Sequence, residues 1–442
     1  MTEPANPRLT DSLVDAALVL AAASLAALIH PLAVAFAALI CIVTILALRF
    51  RLIPTLPRAM GAAGWVTLVF GIYVTASAVW SVDPAFSLIA ALPLLLAVLF
   101  AVPCVILLAA RGPGIEASWP ALLTVAVVAG LIVFEAASGG LLRRMIPGGP
   151  GLFALLVAFL TVMIWPMAAL LEVRYSWREA LIWIVAALIA IFLSEHQTFL
   201  WAALIGVVFF ALAYASSILA RALLVFGILT VGFGPAILAT VFGSGGMDLP
   251  AQLDPYLAAW PAALSVWAGT PIHGTGAGTA VPEMLQLPGR NVALQLLIGT
   301  GALGLVLAIC AAVTIVLRAV TRDVSVWRGA SAAGLAGSAL AMAVSGPGLW
   351  QPWWIAALAV ASLGIAGAIP VAASGGASLG SIFDAAREAE EEEEEDDLYH
   401  FDDDEDYDDY DDDEEDGEWD IDEARVDRDD RPPRPGADEK RD

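Results

Sequence analysis

The chain has 442 residues, 59% of them hydrophobic and 15% charged, with three cysteines and a formal charge of −25. A charged share well below the roughly 25% of soluble domains excludes an ordinary water-soluble globular enzyme. The acidity is also confined to one end: 33 of the 46 Asp and Glu residues lie after Phe383, with only 7 of the 21 Lys and Arg. The body is thus nearly neutral, and only the tail argues for a basic partner.

Apolar runs of about 18–25 residues are long enough to cross a hydrocarbon core of roughly 30 Å as helices. The body offers about twelve: 12–29, 31–48, 60–80, 87–109, 120–139, 151–172, 179–194, 198–216, 222–243, 291–317, 329–346 and 353–373. The expected fold class is an all-α polytopic membrane protein of about twelve transmembrane helices. Residues 1–11 form its N-terminus and 12–375 its membrane domain. The first run has no basic segment before it and passes through His30-Pro31 into the second, which argues against a cleaved leader. Cys41, Cys104 and Cys310 sit singly in apolar runs without CxxC spacing, so they read as small hydrophobes rather than zinc ligands or disulfides. Interior prolines such as Pro93, Pro103, Pro166 and Pro235 are structural, since neighbouring helices satisfy the freed carbonyls.

Orientation follows from the arginines, because cytoplasmic loops retain positive charge. With the N-terminus inside, eleven of the body's fourteen arginines are cytoplasmic and only Arg143, Arg144 and Arg290 fall outside. An even helix count returns the tail to the cytoplasm. The same topology puts His30, His196 and His273 on the extracytoplasmic side.

In chain order, the outer polar groups begin with Arg143-Arg144 after the fifth run, which either anchor a helix end at headgroups or bind an anion. Ser194-Glu195-His196-Gln197 follows, with His196 either a helix-end polar residue or a base. The one long loop of the body, 244–290, is the sort of segment that is usually functional or disordered. Within it Asp254-Pro255 reads as a helix start, and Leu257, Trp260, Leu264 and Trp267 recur at helical spacing, predicting a short amphipathic helix over the bundle.

Pro271-Ile272-His273-Gly274-Thr275-Gly276-Ala277-Gly278 comes next. Glycine-rich backbone can cradle phosphate, but no strand precedes it and its side of the membrane lacks nucleotides, so an ATP or dinucleotide site is not expected. A lipid-borne glycan pyrophosphate fits that surface better, and the planar fork of arginine suits its oxygens. Trp80, Trp350, Trp353 and Trp354 fit an interfacial aromatic belt.

The stretch from Asn291 through Gly301 to Gly304 resembles the signature of the O-antigen ligase and polymerase family, in which His-Asn is followed by nine residues and GxxG. Three further segments agree in order and place: Val79-Trp80-Ser81-Val82-Asp83-Pro84, Ser194 to Leu200, and Trp260 followed by Pro271 and the glycines. The resemblance covers roughly residues 12–373. It implies transfer of a glycan from a polyprenyl-pyrophosphate carrier to lipid A or another glycan at the outer leaflet of the bacterial inner membrane, without a cofactor or bound metal. Arginines would neutralise the departing pyrophosphate and a histidine would take the proton from the attacking hydroxyl.

The chain departs from the family in three places. Arg290 stands where the motif histidine is expected, and arginine cannot serve as a general base. Tyr256 replaces an arginine before the loop tryptophan, and Gly299 replaces an acid. The expected site therefore draws on Arg143, Arg144, Arg290, Asn291 and Tyr256 for substrate, with His273 or His196 as base. The alternatives are a catalytically degenerate paralogue or scaffold of an envelope polysaccharide system, and, third, a transporter. Transport is demoted because nearly every charge lies at a helix end or in a loop, Glu135 being nearest to an exception.

Residues 376–442 carry acidic runs at 390–397, 402–406 and 408–416. Self-repulsion and scarce hydrophobes predict disorder. The tail is either purely solubilising or a docking segment for a basic cytoplasmic protein, with Tyr399, Phe401, Tyr407, Tyr410 and Trp419 as anchors. No nucleic-acid partner is expected.

Overall fold

The structure is a computed structural model that describes residues 56–111, 119–145, 149–243, 259–279, 291–321, 325–345, 350 and 352–368. The chain divides into two units, Met1–Phe383 and Asp384–Asp442. The second unit, the first two expected spans, His30, Arg290, Tyr256 and the Asp254-Pro255 helix start lie outside the described residues.

Among the described residues every regular element is helical. The helices are α1 (Leu56–Ala76), α2 (Pro84–Arg111), α3 (Trp119–Ala137), the short α4 (Leu141–Met145), α5 (Gly149–Arg174), α6 (Trp177–Leu193), α7 (Gln197–Ala215), α8 (Ser217–Gly243), α9 (Ala259–Gly269), α10 (Val292–Ala319), α11 (Val326–Ser345) and α12 (Pro352–Gly367). One 3₁₀ turn, Ser77–Trp80, extends α1. A helix lies at each of the ten expected runs in these segments. Among the described residues five stretches are long and apolar enough to cross a membrane: Met60–Trp80, Phe153–Val173, Gln197–Ala215, Ser217–Gly234 and Val292–Ala319. The chain thus has the character of a helical membrane protein.

Residue size is distributed as a lipid-facing bundle requires. Helix α6 buries Ala180, Ile184, Ala187 and Ala190 while Ile182, Val185, Ile189 and Phe192 are exposed. Helix α7 buries Ala202, Ala203, Gly206 and Ala213 and exposes Trp201 and Val208. Lipid tails are as apolar as leucine, so nothing drives large side chains inward, whereas small ones let helix backbones approach.

Helix α5 is the centre. Of its Phe153–Val173 stretch 83% is buried, against 28% for Gln197–Ala215, and α3, α6, α7, α11 and α12 pack around it. Its Trp165 indole donates to Ser338 Oγ of α11 at 2.9 Å. Helix α11, rich in Gly, Ala and Ser, lies against α7 so closely that a Cβ on Gly206 would meet Ser338, Trp165 and the Gly334 carbonyl. Gly206→Leu should therefore lower stability by about 3 kcal/mol through overpacking against backbone. The thermal midpoint of the detergent-solubilised chain measures this, with Val208→Leu on the exposed face as a near-neutral control.

The predicted short helix is present as α9, which packs on α8 and α10. Its Leu264 and Trp267 join the cluster around Leu296 and Leu297. Trp354, expected in an interfacial belt, is instead 3% exposed. It belongs to the main core that surrounds α5.

Candidate functional site

Helix α10 reads in sequence as one apolar run, yet it is broken at Gly301, whose backbone sits at φ 70°, ψ −171°. That region of conformational space is essentially reserved for glycine. In a continuous helix the carbonyls of Ile298, Gly299 and Thr300 would accept from residues four positions later. Here the amides of Thr275 and Gly276 donate to Ile298 and Gly299 at 2.9 and 2.8 Å, and the Tyr73 hydroxyl donates to Thr300 at 3.0 Å. On the other side of the break, the amides of Ala302 and Leu303 donate to the carbonyls of Pro271 and Ile272 at 2.9 and 3.2 Å. The turn thus replaces what the helix loses, as non-helical backbone at membrane depth demands.

The same turn is fixed from its other side. Trp80 Nε1 donates to the His273 carbonyl at 2.9 Å, the Val82 amide to the Thr275 carbonyl at 3.3 Å, and the Ala277 amide to Ser77 Oγ at 3.0 Å. Trp267 Nε1 of α9 donates to the Pro271 carbonyl at 2.8 Å. Gly274, with φ 70°, has no room for a Cβ against the backbone of Gly299 and Gly301. The consequence for chemistry is direct. The amides of Thr275, Gly276 and Ala277 are already committed within the protein, so this glycine-rich segment is a structural plug rather than a phosphate cradle.

Of the residues expected at the site, His273 lies in this assembly, and Asn291 starts the helix that the turn interrupts. The His273 ring is exposed and meets Trp80 edge-on with centroids 6.0 Å apart. Trp80 in turn lies 5.8 Å from Tyr73. Asn291 is 5% exposed and acts as the N-cap of α10, its Oδ1 accepting from the Ala293 amide at 2.8 Å.

A second group forms around Phe153. Glu135, near the end of α3 and 0% exposed, accepts with one oxygen from both the Arg143 amide at 3.0 Å and Arg143 Nε at 2.8 Å. Arg143 lies 4.8 Å over the Phe153 ring and Arg144 beside it in sequence is exposed. His196 comes to the same ring, 5.6 Å away, and to Phe199 at 5.9 Å. The corner that brings it there turns on Glu195, the non-glycine residue at positive φ (61°) among those described. Such backbone strain persists where surrounding structure over-determines it. Among the described residues His196 Nε2 is a buried atom without a hydrogen-bond partner.

Burial of the imidazole, reinforced by the Arg143 cation and opposed by Glu195, holds His196 below its ordinary value. The unfolded chain then binds the extra proton first. This group's contribution to stability is full above about pH 6.5 and falls as pH drops through that value. His196→Gln should flatten this acid sensitivity in unfolding midpoints taken between about pH 5 and pH 7.5, whereas an unchanged slope would assign it to other groups.

The structure thus separates the expected residues: His273 lies against Trp80, Asn291 caps the start of α10, and Arg143 and His196 meet at Phe153. Glu135 and Phe153 were missed as partners. An acid in the last turn of an apolar helix, eight residues before an arginine, was the available signal for the first. Among the described residues no three His, Cys, Asp or Glu side chains gather as a metal site. No protein-family model, curated protein or solved structure matches the chain.

Proposed function

We propose that this chain handles a polyprenyl-pyrophosphate-linked glycan at the extracytoplasmic face of the bacterial inner membrane, as O-antigen ligases and polymerases do, passing the glycan to a lipid or glycan acceptor. One observation carries the reading. Three of the four segments that resemble that family, around Trp80, Pro271–Gly278 and Asn291–Gly304, are joined in a single hydrogen-bonded assembly despite separations of about 200 residues. Same-side contacts also support the alternation of the spans, while the cytoplasmic placing of both termini rests on the arginine distribution alone. Trp80 meets His273 and Arg143 neighbours His196, all assigned outside, while Arg318 donates to the Met60 carbonyl, both assigned inside.

In this reading the exposed His273 is the base for an acceptor hydroxyl, and Arg143, Arg144 and Arg290 face the departing pyrophosphate. The twelve-span topology belongs to the same proposal. A second reading, a non-catalytic relative serving an envelope assembly, is favoured by Arg290 in the place of the motif histidine. A deletion strain complemented with wild type, His273→Ala or Arg290→Ala decides between them. Loss of a surface glycan that wild type restores and His273→Ala does not is the expected result. Full rescue by both variants removes the assigned site, and an unaltered glycan profile in the deletion favours the scaffold.

A further inference from the structure

The group around Phe153 has an unspent donor set. Glu135 engages Arg143 through Nε and the backbone amide, which orients the guanidinium and, among the described residues, leaves its two terminal nitrogens to a ligand. A planar fork held by one edge is the geometry in which arginine meets phosphate oxygens. The buried carboxylate also cancels the charge of Arg143, so that the pair alone attracts an anion weakly. The charge that changes is that of His196, whose ring shares Phe153 with the guanidinium.

We infer that Arg143 and His196 together form a phosphate-oxyanion site in which anion and proton bind as a pair, with Glu135 as the positioning residue for Arg143. Three observations converge on this. Among the described residues His196 Nε2 is a buried polar atom with no partner, a cost that an oxyanion acceptor removes once the ring is protonated. Arg143 remains partly open, its side chain 32% exposed. The charged groups acting on the ring are Arg143, which opposes its protonation, and Glu195, which favours it; Phe153 and Phe199 are neutral. An anion seated at Arg143 reverses the first effect, and by linkage the proton strengthens the anion as much as the anion strengthens the proton.

The chemistry recognised is a phosphate or pyrophosphate carried by a lipid. Two sources supply it: the glycan carrier of the function proposed above, on which this inference rests for its preferred ligand, or an anionic phospholipid headgroup.

The test uses the full chain in detergent micelles and a farnesyl pyrophosphate glycoside, a diester whose acids stay ionised throughout the range. Calorimetry in buffers of different ionisation enthalpy reads affinity and proton uptake together. Wild type is expected to bind about tenfold more tightly at about pH 5.5 than at about pH 8, taking up about half a proton per ligand in the middle of that range and little at its upper end. Arg143→Gln weakens binding about tenfold or more at both values. His196→Gln abolishes the pH dependence, so that its affinity at about pH 5.5 is no higher than at about pH 8.

Binding without proton uptake by wild type, a reading that requires no variant to fold, overturns the inference. So does a pH dependence that survives His196→Gln. A parallel arm in nanodiscs compares phosphatidylglycerol with phosphatidylcholine. Proton-linked binding of phosphatidylglycerol alone upholds the site and removes the carrier as its ligand. A glycan defect in the deletion strain with pH-independent binding upholds the function and removes this site.

Discussion

Gly301→Val should cost the protein about 3 kcal/mol or more, the largest effect expected of any single change outside the buried core. The Cβ would run into the Ile272 carbonyl and the neighbouring His273 amide, in a backbone conformation that side chains adopt only with strain of about 1–3 kcal/mol. If the turn moves aside, four backbone groups at Ile298, Gly299, Ala302 and Leu303 lose their partners together. Each buried orphan costs about 1–3 kcal/mol. The measurement is hydrogen exchange at Ala302 and Leu303 with the thermal midpoint in detergent. Exchange as slow as in the wild type would mean that the turn is not what satisfies the break. Tyr73→Phe, which removes only the Thr300 contact, should cost about 1 kcal/mol.

The second large effect is at Glu135. Glu135→Ala leaves the Arg143 amide and Nε without their shared acceptor and strands a partly buried cation against Phe153. Removing one member of a fully buried pair costs about 3–5 kcal/mol. With a third of the arginine exposed, about 2 kcal/mol is expected after solvent screening. The double variant Glu135→Leu with Arg143→Met should recover most of that loss, because replacing both charges with apolar groups spares the desolvation. A double-mutant cycle on unfolding midpoints reads the coupling. Additive losses would show that the two side chains act independently.

The helices were legible because the bilayer is an undemanding reader: an apolar run of sufficient length specifies a spanning helix with no further information. The interruptions inside those runs were not. Nothing in Leu296 to Leu305 announces that Gly301 breaks the helix, since glycine is common in membrane helices, and the partners lie 23 to 31 residues earlier in the glycine-rich turn. The GxxG spacing was visible as a pattern, but its cause is tertiary: Gly301 admits the backbone of Ile272.

The same limit applied at the second group. Arg143 and His196 were each recognisable as polar groups at helix ends. Their meeting across Phe153 depends on the α6–α7 corner and on how α5 is buried, neither of which has a local signature. Trp80 was read as a belt residue because its exposure was foreseeable and the spending of its indole N–H on the His273 carbonyl was not.

The repaired break in α10 also constrains how the molecule is made. During synthesis Pro271 to Thr279 emerges shortly before α10, while Ser77, Trp80 and Tyr73 have been in place for some two hundred residues. A nascent α10 entering the bilayer by itself has every reason to be straight, since only a straight helix satisfies its own amides there. It can bend at Gly301 only after the turn has docked on the earlier helices. Assembly of this region must therefore run backwards along the chain, with an earlier helix acting as the template on which a later one is reshaped.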